Sequence, residues 1–203
     1  MRKWVLLFLV YSATGLYVFD LRASPKPIVH LPPLPQREVS PVVRLTGELL
    51  KNPHARTSLG NRVPAVAAKI MDLSDRYRDD GVTPAMLLGL IEVESTFNAN
   101  AISHNEAGEK VAYGLMQVTQ KTATPYLRDM GVSWSEAVAL DPLRNLDVGA
   151  AHFASLHRRF KGNLLLASLG YNQGEGAVRA GYAVPGYEIK ANQAIWRWAR
   201  LGF

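Results

Sequence analysis

The pattern of apolar residues after Val42 is helical almost throughout, and it restricts the fold more than any other feature of the sequence. The one run of strand-type residues is short and lies around 108–118. We therefore predict a mostly α fold, with a small hairpin or loop beside that run. Helices are predicted over 42–51, 64–78, 84–97, 119–130, 142–160, 164–173 and 192–200.

The first twenty residues predict a signal peptide or a membrane anchor. Arg2 and Lys3 precede an uncharged, mainly apolar run over 4–19. This run is shorter than the roughly 20 residues of an average spanning helix. A cleavage site needs small residues before the cut, and of Leu21-Arg22-Ala23 only the last is small, which favours an uncleaved anchor. The N-terminus would then be cytoplasmic and the rest of the chain would lie at the periplasmic face of the inner membrane; release after cleavage near Ala23 is the alternative.

Residues 21–41 predict a linker, and residues 42–203 a single folded domain. Six prolines within 24–41 favour an extended, semi-rigid segment. At about 3.1 Å per residue, such a segment could hold the domain some 50 Å from a membrane.

Charge and composition narrow the choice of partners. A formal net charge of +6 suits an anionic partner such as nucleic acid, a membrane surface or a bacterial cell wall. No basic stripe with interleaved aromatic residues is present, so a nucleic-acid partner is not expected. The chain has no cysteine, and its histidines lack the spacing of a ligand pair, so neither a metal site nor a cofactor is expected. His152 and His157 are expected to have ordinary core or surface roles.

Glu94 is the candidate for acid catalysis. At about 100° per residue, Glu94 shares a stripe of the predicted helix with Leu87 and Ile91. Glu92 falls on the opposite side, where a carboxylate would lie in water. Burying a carboxylate in apolar surroundings raises its pKa towards neutrality, as a general acid requires. The alternative is a glutamate at the domain rim whose head reaches solvent or an arginine.

Two motifs follow Glu94-Ser95 in order, Gly114-Leu115-Met116-Gln117 and Tyr171-Asn172-Gln173-Gly174. Each motif alone fits a turn or a helix end. As an ordered set they resemble the catalytic domain of the soluble lytic murein transglycosylases, the goose-type-lysozyme-like branch of the lysozyme superfamily. The resemblance spans roughly 72–180 and implies a lysozyme-like (SLT-type) single helical domain. The segments that carry it are 91–98, 101–103, 114–117, 141–150, 162–164 and 171–174.

The resemblance also implies roles for particular residues. Glu94 would be the catalytic acid and base, with Ser95 packing beneath the site, and Ser103 would order the carboxyl group or a water. Four residues would form the sugar groove, Met116 and Gln117 on one side and Tyr171 and Asn172 on the opposite wall. From the residues alone, a turn hydroxyl for Ser103 and core packing for Met116 and Tyr171 stay open.

The sequence departs from the family pattern in two places. The stretch 104–113 is longer than the usual link between these motifs, which predicts an extra turn or small hairpin that could alter substrate preference. The family's later groove tyrosine aligns with Gln193, and Tyr187 is the other candidate for that role.

The function that these residues imply is cleavage of peptidoglycan with one carboxyl group. Asp141 and Asp147 lie at or near a helix start, where capping or the helix dipole explains them. A single acid fits substrate assistance by the N-acetyl group of the sugar. We expect cleavage between N-acetylmuramic acid and N-acetylglucosamine with closure of a 1,6-anhydro ring. The alternatives are a hydrolytic muramidase on the same fold, or a non-catalytic wall-binding module that has a protein partner in an envelope-spanning machine.

Overall fold

The computed structural model describes residues 7–12, 15–20, 27–31, 39–183 and 185–203. The chain divides into two units, Met1–Val39 and Ser40–Phe203. In the first unit, strands β1 (Leu7–Ser12), β2 (Gly15–Asp20) and β3 (Pro27–Leu31) form an antiparallel sheet in the order β1-β2-β3.

The predicted anchor and linker fall mostly within the first unit. Apart from 39–41, the described residues of these two segments form the strands β1, β2 and β3. Their other residues lie outside the described part. Within the described ranges, no helix combines the length and the apolar character needed to cross a bilayer. The membrane anchor and its orientation therefore stay predictions.

The second unit is mostly helical and contains a small antiparallel hairpin, as predicted. Its strands are β4 (Ile102–His104) and β5 (Lys110–Tyr113), with Ser103 paired to Ala112. Its helices are α1 (Pro41–Lys51), α2 (Pro53–Leu59), α3 (Val63–Arg76), α4 (Pro84–Ser95), α5 (Gln120–Asp129), α6 (Glu136–Leu140), α7 (Pro142–Arg159), α8 (Leu164–Gln173), α9 (Glu175–Arg179) and α10 (Tyr187–Arg200).

The predicted helix boundaries are wrong where an element is short or begins beside a glycine. Helices α2, α6 and α9 were not predicted, because two turns or fewer show too little periodicity. Helix α10 begins five residues before the predicted start at 192. Gly186 adopts φ +128°, and its amide donates to the Glu188 carboxylate at 2.8 Å. This contact lets the helix start directly after the glycine.

Helix α4 is buried on more than the one face that its pattern predicted. Ala85 and Gly89, on the side expected to face water, are buried against the rest of the domain. A Cβ atom at Gly89 would lie 2.6 Å from the backbone nitrogen of Ile195 in α10. The absence of a side chain at Gly89 therefore allows α4 and α10 to pack in close contact.

Glu92 is not the freely solvated carboxylate that the helical pattern predicted. Its side chain is 28% exposed and pairs with Arg197 of α10. The indole nitrogen of Trp198 donates to the other carboxylate oxygen at 2.8 Å. Glu92 thus joins α4 to α10 on the side of α4 that faces away from Glu94.

Helix α7 holds the segment 114–117 in place through Asn145, whose side chain is buried. The Asn145 amide group donates to the Tyr113 and Ala139 carbonyls at 2.7 and 2.8 Å. Its oxygen accepts from the backbone N–H of Met116 at 2.7 Å. Both N–H donors and the oxygen of this buried amide thus fasten the motif to α7.

The two aspartates of α7 have separate structural roles. Asp141 caps the helix through the amides of Leu143 and Arg144, as predicted. Asp147 lies beyond the first turn, so a helix-start role for it is wrong. It is buried and forms an ion pair with Lys69 of α3 at 2.6 Å. Both carboxylates are engaged in holding the fold together.

Candidate active site

Glu94 lies in the last turn of α4, where the chain leaves the helix through two residues with left-handed backbone, Thr96 and Phe97. Its half-buried side chain opens into a cavity of about 230 Å³. The other lining residues are Ser103, Ala112, Gln117, Thr119, Tyr171 and Asn172. The structure thus brings the candidate acid together with residues from three separate sequence motifs.

Burial sets the protonation of Glu94. Loss of solvent raises the pKa of its carboxyl group to about 7, and a hydrogen bond from Tyr187 acts in the opposite direction. The hydroxyl of Tyr187 donates to the Glu94 Oε1 atom at 2.5 Å. Near neutral pH the protonated and ionised forms are both populated, so this carboxyl group can donate a proton and later accept one.

Tyr187, and not Gln193, contacts the acid. Tyr187 is the first residue of α10, whereas Gln193 is exposed further along the same helix. Burial and the nearby Glu94 carboxylate raise the pKa of the Tyr187 phenol well above its usual range. The phenol therefore stays protonated and acts as a hydrogen-bond donor to Glu94.

Gln117 and Ser103 form a hydrogen-bonded pair at the side of the cavity. Gln117 has a left-handed backbone, and its side-chain nitrogen donates to the Ala101 and Gly114 carbonyls at 3.1 and 2.9 Å. Its oxygen accepts from the Ser103 hydroxyl at 2.6 Å. Ser103 shares the cavity with Glu94 but donates to Gln117, so an ordering effect on the Glu94 carboxyl stays a prediction.

Met116 does not line the groove with its side chain, in contrast to what the resemblance implied. The side chain is fully buried and packs against Gly149 of α7, where a Cβ atom would lie 2.5 Å from the Met116 sulfur. Its carbonyl oxygen instead accepts a hydrogen bond from the Tyr171 hydroxyl at 2.8 Å. Met116 therefore supports the opposite wall, which Tyr171 and the exposed Asn172 form.

Ser95 directly follows Glu94 at the end of α4, and it is buried. Its hydroxyl is 2.8 Å from the carbonyl oxygen of Leu115 and 3.2 Å from that of Ile91. The hydrogen bond to Leu115 connects the end of α4 directly to the segment 114–117. Because the hydroxyl is enclosed in these contacts, Ser95 acts on the site by holding its two sides together.

The two histidines of α7 take part in packing. Nδ1 of His157 is 2.7 Å from the Asp80 carbonyl, and the ring is buried. The His152 ring packs against Tyr171, with ring centroids 5.5 Å apart. Across the described part of the chain, no group of three or more histidine, aspartate or glutamate side chains is placed to hold a metal ion.

Ala112 and Thr119 line the cavity but were not among the residues proposed from sequence. Ala112 reaches it as the cross-strand partner of Ser103 in the hairpin. Thr119 caps α5 through the amide of Thr122. The cap could have been recognised from the predicted helix start at 119, whereas the position of Ala112 depends on a strand register that a four-residue strand does not reveal.

The raised pKa of Glu94 predicts how stability depends on pH in the variant Glu94→Gln. Between the unfolded value near 4.5 and the folded value of about 7, the folded protein binds more protons than the unfolded chain. The contribution of Glu94 to the free energy of unfolding is therefore most favourable at low pH, and it is lost as the pH rises from 4.5 to about 7. Glutamine does not titrate, so the free energy of unfolding of the variant should gain about 3 kcal/mol relative to wild type between pH 4 and pH 8. Denaturant unfolding at both pH values measures this difference, and equal differences at the two values would contradict the pKa.

Comparison with known proteins places the chain in a family. Residues 74–192, more than half of the chain, match the family model described as the transglycosylase SLT domain. The chain therefore belongs to the transglycosylase SLT domain family. This match confirms the resemblance identified from the ordered motifs around Glu94, Gln117 and Tyr171.

Curated relatives show the same likeness. The chain is 32% identical over 130 residues to membrane-bound lytic murein transglycosylase C of Sodalis glossinidius (strain morsitans), covering 59% of this chain and 34% of that protein. It is 33% identical over 135 residues to the protein of the same name from Edwardsiella ictaluri (strain 93-146), covering 58% and 34%. The chain thus matches about a third of the length of these relatives.

Among solved structures, an inactive mutant of lytic transglycosylase Slt from Pseudomonas aeruginosa aligns with a TM-score of 0.48 and 23% identity, over 74% of this chain and 27% of that one. The 70-kDa soluble lytic transglycosylase of Escherichia coli aligns with a TM-score of 0.46 and 20% identity, over 78% and 29%.

Proposed function

We propose that this protein is a lytic transglycosylase that cleaves the β-1,4 bond between N-acetylmuramic acid and N-acetylglucosamine in peptidoglycan. Glu94 is its single catalytic acid and base. The observation that carries this proposal is a half-buried carboxyl group in a polar cavity, with a pKa of about 7 and a phenol donating to it. Membership of the transglycosylase SLT domain family supports the same function.

The proposed reaction has two proton transfers through Glu94. In the first, the protonated carboxyl group donates to the glycosidic oxygen as the bond to the muramic acid C1 atom breaks. The N-acetyl group of that sugar stabilises the positive charge that develops at C1. In the second, the Glu94 carboxylate takes the proton of the muramic acid 6-hydroxyl, whose oxygen bonds to C1 and closes the 1,6-anhydro ring. No water is consumed, and Glu94 ends in its starting state.

The surroundings of Glu94 favour this one-acid route. Of the described residues that line its cavity, Glu94 alone is acidic. Asp141 and Asp147 are engaged with Arg62 and Lys69, at 2.7 and 2.6 Å. A retaining or inverting hydrolase would need a second carboxyl group across the scissile bond. We assign that work to the substrate's own N-acetyl group.

Tyr187 stabilises the ionised form of Glu94, because its hydroxyl donates to the carboxylate. The carboxylate formed in the first step is thereby held in position for the second. We propose that Ser103, Gln117, Tyr171 and Asn172 contact the sugars, since each lines the cavity. Met116 and Ser95 act indirectly, by supporting the two walls.

Mass analysis of digested peptidoglycan tests the reaction. Purified full-length protein should release muropeptides that are lighter by one water than the corresponding hydrolysis products and lack a reducing end. A muramidase digest of the same peptidoglycan serves as the reference for hydrolysis. Products with reducing ends alone would show that water is the acceptor and would establish the hydrolytic alternative. Binding without any cleavage would favour a wall-binding module.

An envelope location is part of the proposal. The apolar run over 4–19 and the membrane-bound relatives both support attachment at the periplasmic face of the inner membrane. A protein partner in an envelope-spanning machine stays a prediction from the sequence.

A further inference from the structure

A second cavity adjoins the one that contains Glu94. It has a volume of about 450 Å³ and shares three lining residues with the first cavity, Thr119, Tyr171 and Asn172. The residues that it adds include Lys121, Thr122, Tyr126, His152 and Arg159. Because the two cavities have a common wall, one extended ligand can occupy both.

Lys121 gives this second cavity a positive charge. It lies in the first turn of α5 with an exposed side chain. Within the part of the chain that the structure describes, none of the recorded ion pairs involves Lys121. Arg159, the other cation of the lining, is instead paired with Glu175 at 2.7 Å. The Lys121 ammonium group is therefore available to pair with an anionic group of a ligand.

The rest of the lining is uncharged and includes several polar side chains. Burial lowers the pKa of His152 to about 4, so its ring is neutral at neutral pH. The hydroxyls of Thr119 and Thr122 lie 3.1 Å apart at the start of α5. Neutral imidazole, hydroxyl and amide groups are suited to hydrogen bonds with peptide amides. The lining thus combines one unpaired cation with donors and acceptors that fit a short peptide.

We propose that the second cavity binds the carboxylate-bearing peptide that peptidoglycan carries on muramic acid, and that Lys121 selects for it. The proposal rests on the proposed function and extends it from the glycan bond to its substituent. A strand without stems keeps only the lactyl carboxylate, directly beside the sugar ring. A strand with peptide stems carries its carboxylates further out, along the peptide that extends from the sugar in the Glu94 cavity.

A substrate pair tests this assignment. Soluble glycan strands with their peptide stems are compared with the same strands after an amidase has removed the stems. The variant Lys121→Met should lower kcat/KM on stem-bearing strands by about fivefold, mainly through KM, and leave the rate on bare strands within about twofold. Lys121→Glu should increase the defect on stem-bearing strands, because the charge becomes repulsive. Raising the salt concentration to about 0.5 M should narrow the difference between wild type and Lys121→Met.

Lys51→Met is the matched control, since Lys51 lies at the end of α1 and pairs with Glu48 in the same helix. It should leave both rates unchanged. If the Lys121 variants slow both substrates equally, or neither, the peptide assignment is wrong while the transglycosylase proposal stands. If wild-type protein cleaves neither substrate, the transglycosylase proposal and the peptide assignment are both wrong.

Discussion

Replacing Glu94 with glutamine should lower the rate of peptidoglycan cleavage by about a thousandfold or more. Glutamine has nearly the same shape and can still accept the hydrogen bond from Tyr187, but it can neither donate the proton in the first step nor take one in the second. Both steps of the proposed reaction therefore fail in one substitution. The measurement is the initial rate of soluble muropeptide release from purified sacculi, alongside a pull-down assay of binding to the same sacculi. Binding should be retained.

Glu92→Gln is the matched control for this result. It makes the same chemical change two residues away, on the side of α4 where Arg197 and Trp198 hold the carboxylate. The exposed ion pair contributes about 1 kcal/mol or less, so the fold should survive and cleavage should stay within about twofold of wild type. A Glu94→Gln variant that cleaves at the wild-type rate would refute the assignment of the acid. Equal losses in the two variants would point to damage of α4 instead.

Replacing Gly89 with alanine should destabilise the protein by about 3 kcal/mol. The added Cβ atom would lie 2.4 Å from Ile195 Cγ1 and 2.6 Å from the Ile195 backbone nitrogen. Rotation of a side chain can relieve the first contact but not the second, so α10 must move away from α4. Tyr187 begins α10, and that movement would draw its hydroxyl away from Glu94. Thermal unfolding should show a fall in Tm of about 10 °C, and the cleavage rate should fall as well.

The same substitution at Gly47 separates this packing effect from helix propensity. Gly47 lies inside α1, and a Cβ atom there would meet no atom within 4 Å. In an open helical position alanine is favoured over glycine by up to about 1 kcal/mol. Gly47→Ala should therefore be neutral or stabilising. If Gly89→Ala proves as stable as Gly47→Ala, close packing of α4 on α10 does not hold the site together.

The helical content and the place of Glu94 on an apolar stripe could be predicted because both depend on local sequence. Long helices such as α7 show several turns of periodicity, and the caps at Thr83 and Asp141 mark where helices begin. The short helices α2, α6 and α9 do not have enough turns to show a pattern. The burial of the face of α4 around Gly89 was not predicted, because a glycine is consistent with either a solvated surface or a close helix contact.

The roles of the groove residues depended on contacts between distant parts of the chain. The resemblance implied that Met116 and Tyr171 lie on opposite sides of a groove. In the structure, the Tyr171 hydroxyl donates a hydrogen bond to the Met116 carbonyl, and the Met116 side chain is buried in the core. An apolar residue in a motif can point into a groove or into the core, and only the packing of Met116 against Gly149 distinguishes the two.

The sequence by itself determined that Glu94 shares a helical stripe with Leu87 and Ile91, while Glu92 lies on the opposite side of the same helix. Only the tertiary structure decided which groups surround Glu94. The choice between Tyr187 and Gln193 could not be made from sequence, since both follow Glu94 by more than ninety residues. In the structure α10 begins at Tyr187 and packs closely on α4, and the Tyr187 hydroxyl contacts the Glu94 carboxyl group. Two opposed contributions set the pKa of Glu94: burial raises it, and the hydrogen bond from Tyr187 of a distant helix lowers it.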